Sequence, residues 1–131
     1  MGGGGNNQAG DAAGTTTDRY YATVGGGQSN SASGDWASVG GGWINTASDS
    51  SSTVGGGQFN AASGVASTVG GGSANAASSD YATVARGANN SAAGWGSFAA
   101  GHRSKANNMG CFVWGDSTDA DVTPNDNVPT P

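Results

Sequence analysis

The feature that most restricts this chain is a period: Val-Gly-Gly-Gly recurs at Val24, Val39, Val54 and Val69, each step 15 residues. In frame, the coils read YATVGGGQSNSASGD (21–35), WASVGGGWINTASDS (36–50), SSTVGGGQFNAASGV (51–65) and ASTVGGGSANAASSD (66–80). Looser copies follow as YATVARGANNSAAG (81–94), one residue shorter, and WGSFAAGHRSKANN (95–108), and MGCFVWGD (109–116) opens a seventh. This frame puts Phe98 and Phe112 in the slot held by Val24, Val39, Val54, Val69 and Val84. Self-similarity at so short a period implies a stack of equivalent turns, each burying its neighbour.

Composition decides between an ordered stack and a disordered repeat. Leucine and glutamate are absent, Ile44 is the single isoleucine, and charged residues make up 10%. A conventional globular core cannot be assembled from such a chain. Disorder goes with high net charge and few aromatics, whereas here the net charge is −5 and ten aromatics are spread along the sequence. Glycine lacks the every-third-residue spacing of collagen. A thin, regular layer of small residues is the remaining solution.

Each coil translates into two short strands and two corners. The x-Ala-Ser/Thr-Val segment alternates small or apolar with polar residues and is β-branched, so it reads as a strand. Glycine triplets supply a tight corner, Asn-x-Ala-Ser reads as a second strand, and Ser-Gly-Asp or Ser-Ser-Asp closes the turn. The fold class expected is all-β: a parallel β-roll, or solenoid, of 14–15-residue coils. At about 4.8 Å per rung, seven rungs span roughly 30 Å. Residues 1–11 read as a partial first coil, since GGGGNNQAGD resembles GGGQSNSASGD. Residues 12–20 read as an insertion loop, 21–116 as the roll, and 117–131 as a Pro- and Asp-rich loop or frayed tail. The mid-coil start points to one section of a longer array. On a strand Val24 faces opposite to Thr23, so the column Val24, Val39, Val54, Val69, Val84, Phe98 and Phe112 forms an apolar stripe. If the narrow interior admits only Ala, Ser and Gly, the stripe faces outward and needs copies of itself for cover. A homotrimer with these residues as its core is the expectation.

The alternation of strands like YATVGGG and NSASG resembles the head repeats of trimeric autotransporter adhesins, the YadA-like heads. The closer likeness is to a 15-residue variant in bacterial surface and phage tail-fibre-like proteins, whose GGGxxNxASG repeats end in a segment like SFAAGHRSKANNMGCFVWGD (97–116). The resemblance covers roughly residues 2–116. It implies a left-handed parallel roll, trimeric association, and exposure on a cell or virion surface. Nothing in the chain resembles the self-cleaving chaperone domain that often follows such repeats.

Several columns carry candidate roles. Asn30, Asn45, Asn60, Asn75 and Asn90 recur in register and are expected to stack as structural amides. Tyr21, Trp36, Tyr81 and Trp95 open their coils, and Trp43 and Phe59 follow the glycines. Of these, Tyr21, Trp36, Trp43 and Phe59 are candidate platforms for sugar rings, set against the plainer reading that they cover corners or pack between subunits. Phe112 and Trp114 are expected to seal the end of the roll. The column Thr23, Ser38, Thr53, Thr68, Thr83 and Ser97 invites an ice- or surface-binding alternative. Calcium at Asp35, Asp49 or Asp80 is a minor alternative, because the acids miss the spacing of a calcium β-roll.

No enzyme is expected. His102 is the single histidine, the glycine triplets lack the Lys-Ser/Thr of a phosphate loop, and Cys111 reads as a buried small residue in the Ser/Thr slot. Three copies of His102 or Arg103 on a trimer axis could form an anion site, and a glycan-cleaving tailspike is the less favoured enzymatic reading. No cofactor or metal is expected. Nucleic acid is not an expected partner because the cations are few, and no apolar run approaches the ~20 residues of a membrane span. The expected function is a structural and adhesive fibre segment, extracellular, binding a surface glycan or host receptor by avidity.

Overall fold

The computed structural model describes residues 3–10 and 20–116. Over them the chain is all-β without a helix, and it winds as a parallel solenoid of about six turns with seven rungs in each of two sheets. The first sheet stacks Thr23–Val24, Ser38–Val39, Thr53–Val54, Thr68–Val69, Thr83–Ala88, Phe98–His102 and Phe112–Gly115. The second stacks Gln8–Ala9, Ser31–Ala32, Thr46–Ala47, Ala61–Ala62, Ala76–Ala77, Ser91–Ala92 and Lys105–Ala106. At the glycine corner a narrow third ladder runs from Gly4–Gly5 to Gly27–Gln28 and on through Trp43, Gln58, Ser73 and Ala88. Gly4 pairs with Gly27 and Gln8 with Ser31, so the N-terminal segment stacks on the coil that follows it. The expected insertion, apart from Tyr20, and the tail at 117–131 lie outside the described residues.

Strand alternation sets what is buried. Val24, Val39, Val54, Val69 and Val84 are fully buried within the single chain, facing Ala32, Ala47, Ala62, Ala77 and Ala92 of the second sheet. The valine column is therefore the core of the solenoid itself. It is not the core of a trimer, and the expectation that it needs cover from other subunits is corrected. The interior does accept one branched side chain per rung, because the facing strand offers only the methyl of alanine. Burying each valine contributes about 1.5–3 kcal/mol.

The frame also needs correction at the C-terminal end. Thr83 pairs with Phe98 and Val84 with Ala99, a step of 15, whereas Gly87 pairs with Gly101, a step of 14. The missing residue lies at the glycine corner, where Ala85 and Arg86 oppose Ala100 alone. Ala99 and Val113 therefore continue the valine column, and Phe98 and Phe112 continue the threonine column on the outer face. Gly96, with a φ of 59°, takes the turn position of Tyr81, and Trp95 stands one place earlier. Ser97 leaves the threonine column: its carbonyl accepts from Thr83 N–H, as that of Cys111 accepts from Phe98 N–H. Cys111 is buried, as expected, but in the column of Ala82 and Ser97 rather than that of Thr83. Phe112 and Trp114 are each 67% exposed and point away from the roll, so they do not seal its end.

The asparagine column runs beside this core. The backbone N–H and Nδ2 of Asn60 donate to Asn45 Oδ1 at 3.0 and 3.1 Å, and Nδ2 also reaches Gly56 O and Gly72 O at 2.9 Å each. The same set recurs at Asn45, Asn75 and Asn90. Asn7 begins the ladder and Ser104 ends it, its N–H donating to Asn90 Oδ1 at 2.9 Å. Only a neutral amide supplies donors and an acceptor together in this stack. Each amide also presses on the third glycine of a triplet. At Gly57 (φ 89°) an added Cβ would collide with Gly72 O and Asn60 Nδ2, whereas at Gly56 the nearest atom is 3.9 Å away.

Two predictions follow from these contacts. Gly57→Ala should lower stability by about 2–4 kcal/mol through the clash and the left-handed backbone, while Gly56→Ala should change it by less than ~1 kcal/mol; urea melts of the two variants check this, and equal losses would refute it. Asn60→Asp places a buried carboxyl against the carbonyls of Gly56 and Gly72, raising its folded-state pKa above the unfolded value. The protonated form is favoured by folding, so the variant's deficit should shrink as pH falls through that raised pKa towards the unfolded value near ~4. The gap between parent and variant melts should narrow from neutral pH to about pH 3, with a remainder because one O–H cannot replace the two amide donors; a constant gap would contradict the assignment.

Candidate functional site

Side chains that the core does not use collect at the two corners and at one end of the outer face. At the turn corner, the coil-opening residue sits in the left-handed region: Tyr21, Trp36, Ser51, Ala66 and Tyr81 all have φ between 52 and 58°. That conformation throws the side chain outward. Trp36 stacks with Tyr21 and Tyr20, both at 6.5 Å, and Tyr81 meets Trp95 edge-on at 5.5 Å. Small residues at 50–51 and 65–66 separate these two aromatic posts.

The glycine corner carries a second group. Ile44, Phe59, Ala74, Asn89 and Arg103 form one left-handed column, φ 53–58°, each N–H donating to a carbonyl one rung above. Trp43 lies beside it and its ring is 4.8 Å from that of Phe59. The four candidate platform residues are thus paired, Tyr21 with Trp36 and Trp43 with Phe59, on different corners. They do not converge on one pocket. Below Phe59, the triplets 55–57 and 70–72 and Arg86 line a shallow notch of about 430 Å³. Arg86 is exposed, at the position where the coils above it have a glycine.

A third group lies at the C-terminal end of the first sheet. Phe98 and Phe112 stack with centroids 4.9 Å apart and planes 7° off parallel, with Trp114 on the same face. The misplaced frame set Phe98 and Phe112 in the valine column and Trp95 one place off the corner position it was given. Tyr20 was not singled out because it falls in the expected insertion, and Ile44 because only the aromatic Phe59 of its column was read as a platform.

The acids have local work. Asp35 Oδ1 accepts from Tyr20 N–H at 3.2 Å, Asp49 Oδ1 from Ser50 N–H at 2.7 Å and Asp80 Oδ1 from Val65 N–H at 3.0 Å. They cap turns on separate rungs, and among the described residues no three His, Cys, Asp or Glu side chains gather as a metal site. Ser97 Oγ is the buried side-chain polar atom with no hydrogen bond among the described residues. The threonine column Thr23, Ser38, Thr53, Thr68 and Thr83 keeps its register on the outer face until Phe98 replaces it. A scan of protein-family models finds no match to this chain, and a search of the curated proteins finds none either.

Because the corner aromatics contribute little to the core, removing them should leave the fold intact. Trp36→Ala and Trp43→Ala should each shift stability by no more than ~1 kcal/mol, the worth of one exposed ring contact. Thermal melts followed by circular dichroism measure this; a loss several times larger would make these rings structural covers.

Proposed function

We propose that this chain is a structural and adhesive fibre segment, displayed outside the cell or on a virion, that acts as a trimer and binds surface glycans by avidity. The observation that carries the reading is a mismatch. The core closes within one chain, yet large apolar side chains stand 40–78% exposed at its corners and on its outer face. Clusters of that kind mark surfaces that meet something else. Paired rings at Tyr21–Trp36 and Trp43–Phe59 offer flat apolar faces with a polar edge, suited to stacking on a pyranose. A regular solenoid holds them at fixed spacing, so weak contacts repeated over three chains add up.

For the trimer, support moves from the valine column to the patch of Phe98, Phe112 and Trp114. Aromatics are enriched and charges depleted at the centres of subunit interfaces, and this patch continues an outer column of Thr and Ser with no charged member. Light scattering on the 131-residue chain should give three times the monomer mass. The combined Phe98→Ser, Phe112→Ser and Trp114→Ser variant should give the monomer mass with an unchanged melting temperature. A monomeric parent chain would overturn the trimer.

A further inference from the structure

We propose that the turn corner is a binding edge for a protonated amino-sugar polymer, a polyglucosamine by chemistry; this rests on the adhesive reading above. Backbone bonds such as Trp36 N–H to Tyr20 O and Gly96 N–H to Asp80 O stack two neighbouring columns there. In one column Asp35 lies a rung below Tyr20, and Trp95 a rung below Asp80. In the other Trp36 lies a rung below Tyr21, and Tyr81 follows three rungs on. Each acid is therefore set among rings: Asp35 with Tyr20, Tyr21 and Trp36, and Asp80 with Tyr81 and Trp95. Asp35 and Asp80 each commit Oδ1 to a turn N–H, at 3.2 and 3.0 Å. Those bonds leave the negative charge and the second oxygen's lone pairs in place. Among the described residues no Lys, Arg or His occupies either column; Arg19 lies outside them.

The rings are open to a ligand. Tyr21 is 78% exposed, and Trp36, Tyr81 and Trp95 are all more than half exposed. Trp36 lies nearly parallel to Tyr20 and Tyr21, with planes 26° and 19° apart, so the first post is a broad aromatic face. Tyr81 and Trp95 meet at 66°, and the second post is a two-walled corner. A pyranose lays its C–H face on such rings. An ammonium on that sugar is drawn both to the ring faces and to the carboxylate of the same post. An anionic sugar would meet Asp35 and Asp80 as like charges, and a neutral one would leave them unused. The posts stand three rungs apart, about 14 Å, with only Ser51 and Ala66 between Trp36 and Tyr81 in their column. One polymer can therefore reach both, and the first contact strengthens the second. The Trp43–Phe59 pair on the glycine corner has no Asp in either of its columns among the described residues, so it is a neutral platform.

Calorimetric titration of the 131-residue chain with polyglucosamine oligomers, their N-acetylated neutral counterparts and polygalacturonate tests the proposal, at a pH that keeps the amines protonated. The polyglucosamine should bind about tenfold or more tightly than the acetylated polymer and weaken as salt rises. Asp35→Asn and Asp80→Asn, which keep each Oδ1 as an acceptor, should each remove much of that preference, with circular dichroism melts matching the parent's. Asp49→Asn deletes the same charge away from the rings and should leave the affinity within about twofold. An equal loss in Asp49→Asn would mark general attraction of a polycation to an acidic chain and overturn the site, as would equal affinity for the three polymers. Binding of the acetylated polymer that responds to Trp36→Ala but not to the Asp changes, with no preference for the amine, would overturn the amino-sugar site and leave the adhesive reading standing; no saccharide binding at all would overturn both.

Discussion

The structure depends on the contact between each asparagine amide and the third glycine of the triplet. The amide reaches the asparagine one rung above, the glycine carbonyl four residues earlier and the glycine carbonyl one rung below, as Asn60 does with Asn45, Gly56 and Gly72. A carbon on that glycine would occupy the space of the amide nitrogen. The two residue types are therefore bound together: the ladder fixes the corner, and the corner keeps the ladder in register. This explains why the corner at 84–88, which has lost the first two glycines to Ala85 and Arg86, retains Gly87. Gly101 persists one rung later for another reason, its left-handed φ of 93° and the Gly115 backbone packed against it. A buried amide ladder left half-satisfied would be costly, so rungs without asparagine belong at the ends, as with Ser104.

Register maintained in this way lets a very thin core suffice. Each rung from Val24 to Val84 buries one valine against one alanine, with a further Ala or Ser completing the layer, and Ala99 takes the valine's place on the next. Parallel sheets are ordinarily covered on both faces; here the outer faces carry Thr, Ser and Ala, which tolerate water without a second layer. Stability is then a sum over rungs and their nearest neighbours. Such a body can lengthen by adding coils without redesigning its interior, and the corners stay free to vary.

Much of this was legible in the sequence. The period, the parallel all-β class, the glycine corner and the position of Asn30 to Asn90 all follow from 15-residue self-similarity, because one rung dictates the next. The direction of the valines was not legible from residue size alone. Assuming an interior of only Ala, Ser and Gly turned Val24 and its equivalents outward, when the facing alanines leave room for them. The same assumption matched Phe98 to the valines because both are large and apolar. Glycine would have been the better anchor: aligning Gly101 with Gly87 puts the deletion at Ala100 and moves both phenylalanines from the valine column to the threonine column. Corner positions repeat with the coil but their side chains do not, so the groupings around Tyr20, Ile44 and Arg86 follow only once the rungs are stacked.

That division between periodic and aperiodic positions is also a division of roles. Positions facing inward are constrained by the rung above and the rung below, so a new side chain there must suit two neighbours at once. The left-handed corner residues are freer, because they project whatever side chain they carry away from the rungs. Aromatics gather at Trp36 and Trp43 near the start of the array, cations at Arg86 to Lys105 near its end, and paired phenylalanines face outward just beyond. The ladder sets these groups at multiples of about 4.8 Å, which makes the solenoid a ruler as well as a scaffold.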